Sequence, residues 1–143
     1  MNDTETIFAL ALASNFEPQL NFEKAYSKIQ KMGDVQFSNI YLIPCRDGVG
    51  EDYWNSACLV KSKYAVDEIL YILKKMETGS NRVRPSHKIS LDIDLIAWGM
   101  HLNDMQFNPK KLPLALDVKV PMSDIWDNPL FESENINHIK HIV

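Results

Sequence analysis

A chain of 143 residues is long enough for one domain with a proper core and too short for two. Its composition, 45% hydrophobic and 24% charged, is ordinary for a globular protein, and a net charge of -4 excludes a global basic field for nucleic acid or anionic membrane. Cys45 and Cys58 are too few for a disulfide framework and lack metal-ligand spacing; with no charged leader and no apolar run of membrane-spanning length, a soluble cytoplasmic protein is expected.

Met1 to Glu5 is polar and expected to be loose. Thr6 to Ala13 is nearly all apolar and predicts a buried central strand, stopped by the turn-forming pair Ser14-Asn15 with Pro18 close behind. Asn21 is a candidate helix cap. Phe22, Ala25, Tyr26, Ile29 and Met32 follow helical spacing, with Gly33 as the C′ residue. Val35 to Ile43 is rich in β-formers and predicts a second strand. Pro44 to Asp52, with two glycines and a charge cluster, is longer than a hairpin needs and has the character of a functional loop. Trp54 to Tyr64 predicts a third strand antiparallel to the second. Val66, Ile69, Leu70, Leu73 and Met76 mark a second helix that ends near Gly79, and Ser80 to Lys88 is a polar, basic loop.

The next stretch, Ser90 to Trp98, sorts at period two. Leu91, Ile93, Leu95 and Ala97 are expected on one face, and Ser90, Asp92 and Asp94 on the other. Two carboxylates side by side repel each other. They are either ordinary aspartates on a solvated strand or partners of a counter-charge, for which Mg²⁺ with substrate phosphates is suited. The order strand, helix, strand, strand, helix, strand predicts an α+β, ferredoxin-like βαββαβ fold, an antiparallel sheet with both helices on one face. After Gly99 the signal weakens. His101 to Val120 shows no period, and Ser123 to Phe131 suggests a short helix broken at Pro129. His138 and His141 stand at a spacing that could share a helix face and a metal, but a polar tail is the simpler reading. No repeat or linker divides the chain, so residues 1–143 are expected to form a single domain.

Candidate chemistry gathers before the carboxylate strand. Arg82 and Arg84 fall on one side of an extended segment, Lys88 adds a third positive charge, and arginine forks suit phosphate oxygens. Glu77 sits at a helix end, where an acid opposes the dipole. The plain alternative is a surface ion-pair cluster of little energetic consequence. A basic loop feeding a two-aspartate strand is nevertheless what a Mg-nucleotide triphosphate site requires. Tyr53 has the surface to stack on a flat heterocycle, and Asn55 the donor and acceptor to read an amide-like edge; alone, the segment reads as core or rim. Neither GxxxxGK[ST] nor GxGxxG occurs, so any nucleotide is held outside a P-loop.

Asp92-Ile93-Asp94 within LDIDL, preceded by Glu77 and Arg82-Val83-Arg84, resembles the signature of the 6-hydroxymethyl-7,8-dihydropterin pyrophosphokinases. Phe8 to Asn15 looks like that family's first strand and its Gly-Ser-Asn turn. Tyr53-Trp54-Asn55-Ser56-Ala57 looks like its Tyr-Leu-Asn-Ala-Ala segment. The resemblance covers roughly residues 7 to 99. It implies the ferredoxin-like fold and transfer of pyrophosphate from ATP to the pterin hydroxymethyl group with release of AMP. It implies that Asp92 and Asp94 ligate two Mg²⁺ ions, and that Arg82 shares the catalytic role. It places Glu77, Arg82, Arg84, Lys88 and Leu95 at the nucleotide, Leu95 as an apolar contact to adenine, and Tyr53 and Asn55 at the pterin. The Pro44–Asp52 loop and the loop ending at Lys88 match closing lids. Partners are then the small molecules ATP and hydroxymethyldihydropterin, with no nucleic acid, no membrane and a monomeric chain.

The chain also departs from the pattern. Ala13 replaces the turn glycine, and Asn81 the glycine before the first arginine. The basic loop is short and lacks its tryptophan and later arginines; Lys88 is the nearby cation, and Ile89 replaces the arginine before the strand. Pro113-Leu114 stands for Pro-His, and Val120-Pro121-Met122 for Arg-x-Phe. Each lost charge-assisted phosphate contact costs about 1.5–3 kcal/mol, so losing a few slows transfer by orders of magnitude. A divergent active member is therefore weighed against a catalytically impaired homologue that binds nucleotide or pterin, and against a ferredoxin-like interaction module.

Overall fold

The computed structural model describes residues 4–44, 52–80, 88–132 and 140–141. The strand β1 (Thr6–Ser14) lies at the centre, as its apolar run predicts, and is followed by α1 (Pro18–Gln30), β2 (Asp34–Phe37), β3 (Tyr41–Ile43), β4 (Tyr53–Ser62), α2 (Val66–Thr78) and β5 (Asp92–Gly99). Two further strands, β6 (Gln106–Phe107) and β7 (Lys140–His141), and the helix α3 (Leu116–Met122) complete it. The sheet runs β6-β5-β1-β4-β3-β7, with β2 also on β4, and every pairing is antiparallel. This is the predicted α+β ferredoxin-like arrangement. Residues 140–141 are not a free tail but pair with β3; His138 lies outside the described residues.

Local chemistry moves several boundaries. Pro18, with its fixed φ, opens α1, so the helix begins before Asn21. Asn21 is not its cap: buried in the first turn, its Nδ2 donates to the carbonyls of Phe16 (2.8 Å) and Glu17 (3.2 Å). Gly33 is not the C′ residue either, since α1 ends at Gln30 with Lys31 as its cap. Gly33 instead lets two backbones pass, because a Cβ there would occupy the space of the Lys61 carbonyl oxygen on β4. Gly33→Ala is expected to destabilise the protein by about 1–3 kcal/mol, read as a lower urea midpoint at unchanged m-value.

The second predicted strand is two. Residues 38–40 face Ser56 and Ala57 alone, one residue too many for a regular ladder. Ser38 repairs the ladder there: its N–H donates to the Ala57 carbonyl (2.9 Å) and its Oγ accepts from the Ala57 N–H (2.8 Å).

One side of the sheet buries Phe8, Leu10 and Leu12 of β1 and Ile93 and Leu95 of β5 against Phe22 and Ile29 of α1 and Ile69 and Leu73 of α2. Both predicted helices thus share this face. The other side is lined by small residues, Ala9, Ala11 and Ala57, which leave room for Leu114, Met122, Trp126 and Phe131 to pack on them. That cover comes from the region without sequence periodicity. Its helix lies at 116–122 rather than within 123–131, and it contains Pro121. In so short a helix Pro121 falls in the last turn, where one backbone bond is lost rather than a ladder. Pro129 does not break a helix but opens a 3₁₀ turn, capped by Asn128 Oδ1 accepting from Leu130 N (2.9 Å).

One register shift matters for the site. Ala9 pairs with Ala97 but Leu10 with Leu95, so Ile96 is an extra residue, a β-bulge. Leu95 stays in the helix-side core, Ile96 and Ala97 both turn to the opposite face, and Trp98 returns to the helix side. The expected face-sharing of Ala97 with Leu91, Ile93 and Leu95 is thereby corrected. Simple alternation holds only as far as the bulge.

Candidate functional site

Asp92 and Asp94 precede the bulge and share the face away from α1 and α2, as alternation predicts. Glu77 reaches them from the last turn of α2, around the outer edge of β5. There its Oε2 accepts from the Ile93 N–H (2.9 Å), satisfying a backbone donor that no strand among the described residues covers. Glu77, Asp92 and Asp94 are all half-buried and offer oxygens within 4.8 Å of one another. Three hard carboxylate ligands at that spacing fit a divalent cation such as Mg²⁺.

The approach to β5 is fixed by the end of β1. Asn15 N donates to the Ile89 carbonyl (2.9 Å), and Asn15 Oδ1 accepts from Ile89 N. Ser80 Oγ, 2.7 Å from Ser90 Oγ, also donates to the Glu77 carbonyl (2.6 Å), tying the end of α2 to the entry of β5. Lys88, just before this clamp, rests over the Phe16 ring at 5.2 Å from its centroid.

Register then links the two halves of the predicted site. Ala13 faces Asp92 on one side and Asn55 on the other, and Asn55 faces Tyr41. Directly opposed residues share a sheet face. Tyr41, Asn55, Ala13 and Asp92 therefore form one row across β3, β4, β1 and β5, and Tyr53 lies two residues along on the same face. Two strand spacings separate Asn55 from Asp92, about 10 Å, bridged by the small side chain of Ala13. Trp54 points the other way, edge-on to Phe22 in the helix-side core (5.9 Å). Asn55 is buried at 2% exposure, its Nδ2 donating to the Tyr53 carbonyl (3.1 Å).

Leu95 is not brought to this face. Its side chain packs in the helix-side core, on the opposite face of β5 from Asp92 and Asp94, rather than where the expected adenine contact would share their face. Arg82 and Arg84, and all but the ends of both expected lids, lie outside the described residues.

Three neighbours were missed in the sequence. Lys111 Nζ stands 3.0 Å from Asp94 Oδ1. Tyr41 lies in the row itself, and its hydroxyl donates to Asp124 (2.8 Å), which also accepts from Asn39 N (3.1 Å). Burial first, and then the Asp124 carboxylate, raise the Tyr41 phenol above the usual tyrosine pKa. The sequence signal for each is only a charge or an aromatic: Lys111 in a segment without period, Tyr41 in the predicted second strand and Asp124 in the stretch expected to hold a short helix.

An antiparallel α+β sheet in which two carboxylates of β5 meet a third from the end of α2, one of them in the same row as a buried asparagine, has the makings of a metal-assisted transferase. The family model for 7,8-dihydro-6-hydroxymethylpterin-pyrophosphokinase (HPPK) matches residues 9–133, and the chain belongs to that family. No curated protein matches the chain in a sequence comparison. The family's chemistry is ATP-dependent pyrophosphoryl transfer in folate synthesis, with ATP, Mg²⁺ and a pterin as its small ligands. The match runs past Gly99 through α3 to the 3₁₀ turn, so the segment covering the second sheet face belongs to the family pattern too. No helix among the described residues is long and apolar enough to cross a membrane.

Proposed function

We propose that this chain, as a single cytoplasmic domain acting as a monomer, transfers pyrophosphate from Mg-ATP to 6-hydroxymethyl-7,8-dihydropterin. The hydroxymethyl oxygen bonds to the β-phosphorus and loses its proton, the bond from that phosphorus to the AMP oxygen breaks, and AMP leaves. The observation that carries this reading is the row from Asn55 through Ala13 to Asp92. It sets a group able to read an amide-like edge about two strand spacings from the carboxylates, across a gap that only a methyl fills. Asp92 and Asp94, with Glu77 beside them, hold two Mg²⁺ ions, which when bound neutralise phosphate charge and orient the attacking hydroxyl. Tyr53 and Asn55 bind the pterin. Arg82, with its catalytic role, Arg84 and Lys88 bind the triphosphate from the loop side.

The test is AMP release from Mg-ATP and the pterin by the purified chain. Turnover above background that disappears with EDTA is the expected result. No AMP at high enzyme concentration, with Mg²⁺ and any pterin, overturns it. A specific observation keeps a catalytically impaired homologue as the second reading. Val120, Pro121 and Met122, where the family pattern has Arg-x-Phe, are buried, and Met122 is sealed in the second core at 0% exposure, so it does not stand in for the lost phenylalanine at the pterin. Mg²⁺-dependent ATP binding without turnover would support that reading instead.

A further inference from the structure

The Lys111–Asp94 pair is more constrained than a chance surface contact. Lys111 ends the 3₁₀ turn Pro109–Lys111, and that turn is pinned to β5 itself by Asn108. Asn108 N donates to the Ile96 carbonyl (2.8 Å), its Nδ2 donates to the Leu95 carbonyl (2.9 Å), and its Oδ1 accepts from Lys110 N (3.1 Å). One asparagine thus closes the bulge and starts the turn that carries the lysine. The lysine is tethered to the strand that bears its carboxylate, so strand and turn move together. Its ammonium sits at 3.0 Å from Asp94 Oδ1, and Asp94 is one of the three carboxylates that lie close enough together to hold a divalent ion. A divalent ion bound at Oδ1 would displace the ammonium from it, since both are cations of contact size.

We infer that Lys111 is the built-in occupant of the metal site: it holds Asp94 until a divalent ion displaces it, and its released ammonium then meets the polyphosphate that the ion brings. This rests on the proposed role of Asp92 and Asp94 as metal ligands. Displacement is cheap because the pair is half-exposed, with side chains 36% and 30% accessible, and the four-carbon stem of lysine can swing without moving the turn. A positive charge therefore faces Asp94 in both states. The site is neither left as three repelling carboxylates nor closed to the metal.

The experiment is acetylation of the wild-type chain with an N-hydroxysuccinimide ester, followed by mass spectrometric mapping, with Lys110 as the adjacent internal reference. Ionic strength is matched with NaCl, because salt alone loosens exposed pairs. Without metal, Lys111 in the wild type is expected to label roughly threefold to fivefold more slowly than in Asp94→Asn. Mg²⁺ alone should remove that protection, and Mg²⁺ with a non-hydrolysable ATP analogue should restore it. Mn²⁺ binding is followed in parallel by electron paramagnetic resonance, and Lys111→Met is expected to bind Mn²⁺ several-fold more tightly than the wild type. Mn²⁺ bound with no change in the Lys111-to-Lys110 ratio overturns the inference while leaving the metal site standing. No Mn²⁺ bound by either protein overturns the metal site and the inference with it.

Discussion

Replacing Asp92 and Asp94 together by alanine is expected to lower AMP formation at least about 10³-fold while the protein stays folded. A divalent ion held by these carboxylates would contribute several kcal/mol by neutralising charge on the transferring group, and each 1.36 kcal/mol is tenfold in rate, so about 4 kcal/mol of lost stabilisation gives that factor. Stability should change little, within about 1 kcal/mol. Both side chains are half-buried at a strand edge, and their removal relieves the repulsion between them while giving up the half-exposed Lys111 pair. Steady-state AMP release and the urea midpoint together decide the matter. Turnover close to wild type in the double variant would place the chemistry elsewhere. A collapse of stability would make the aspartates structural.

Trp126→Ala is expected to cost about 3–5 kcal/mol, the usual result of truncating a large buried aromatic. Trp126 is 4% exposed, stacks on Phe107 at 5.4 Å and meets Phe131 edge-on at 5.0 Å. A domain of this size has about 5–15 kcal/mol in total, so the variant keeps a small margin or none. Leu130→Ala, at a residue 51% exposed a few positions on, should stay within about 0.5 kcal/mol. Urea denaturation of the pair measures whether the C-terminal segment is part of the core or a loose cover. Equal midpoints would show that the second face packs without it. The result bears on function as well. Asp124, which anchors Tyr41 and Asn39, is two residues from Trp126, so loss of this packing also loosens the site row at its β3 end.

The elements along residues 6–99 were legible because each follows from a local rule. An apolar run makes a buried strand, helical spacing makes a helix, and turn residues separate them. Asn21 and Gly33 show where local rules mislead. Both residue types suit helix ends, yet Pro18 had already opened α1, and Gly33 answers to the Lys61 backbone across the sheet. Leu95 shows the same at the site. Its position in the motif suggested a ligand contact, but a period-two strand that shows Asp94 to one face must send Leu95 to the other. Lys111, Tyr41 and Asp124 could not be read at all. Even where a strand or helix is expected, as at Tyr41 and Asp124, each matters through a partner distant in sequence.

By itself the sequence determined that a strand with two carboxylates on one face follows a basic loop, and that β1, β4 and β5 alternate or bury as strands of one sheet. Those properties depend on side-chain period and composition, which are local. Only the tertiary structure decided register: that Ala13 stands between Asn55 and Asp92, that Ile96 is bulged, and that Asn108 brings Lys111 to Asp94. Register is a choice among pairings of distant segments, settled by how both faces of the sheet pack at once, and no short stretch of sequence contains it.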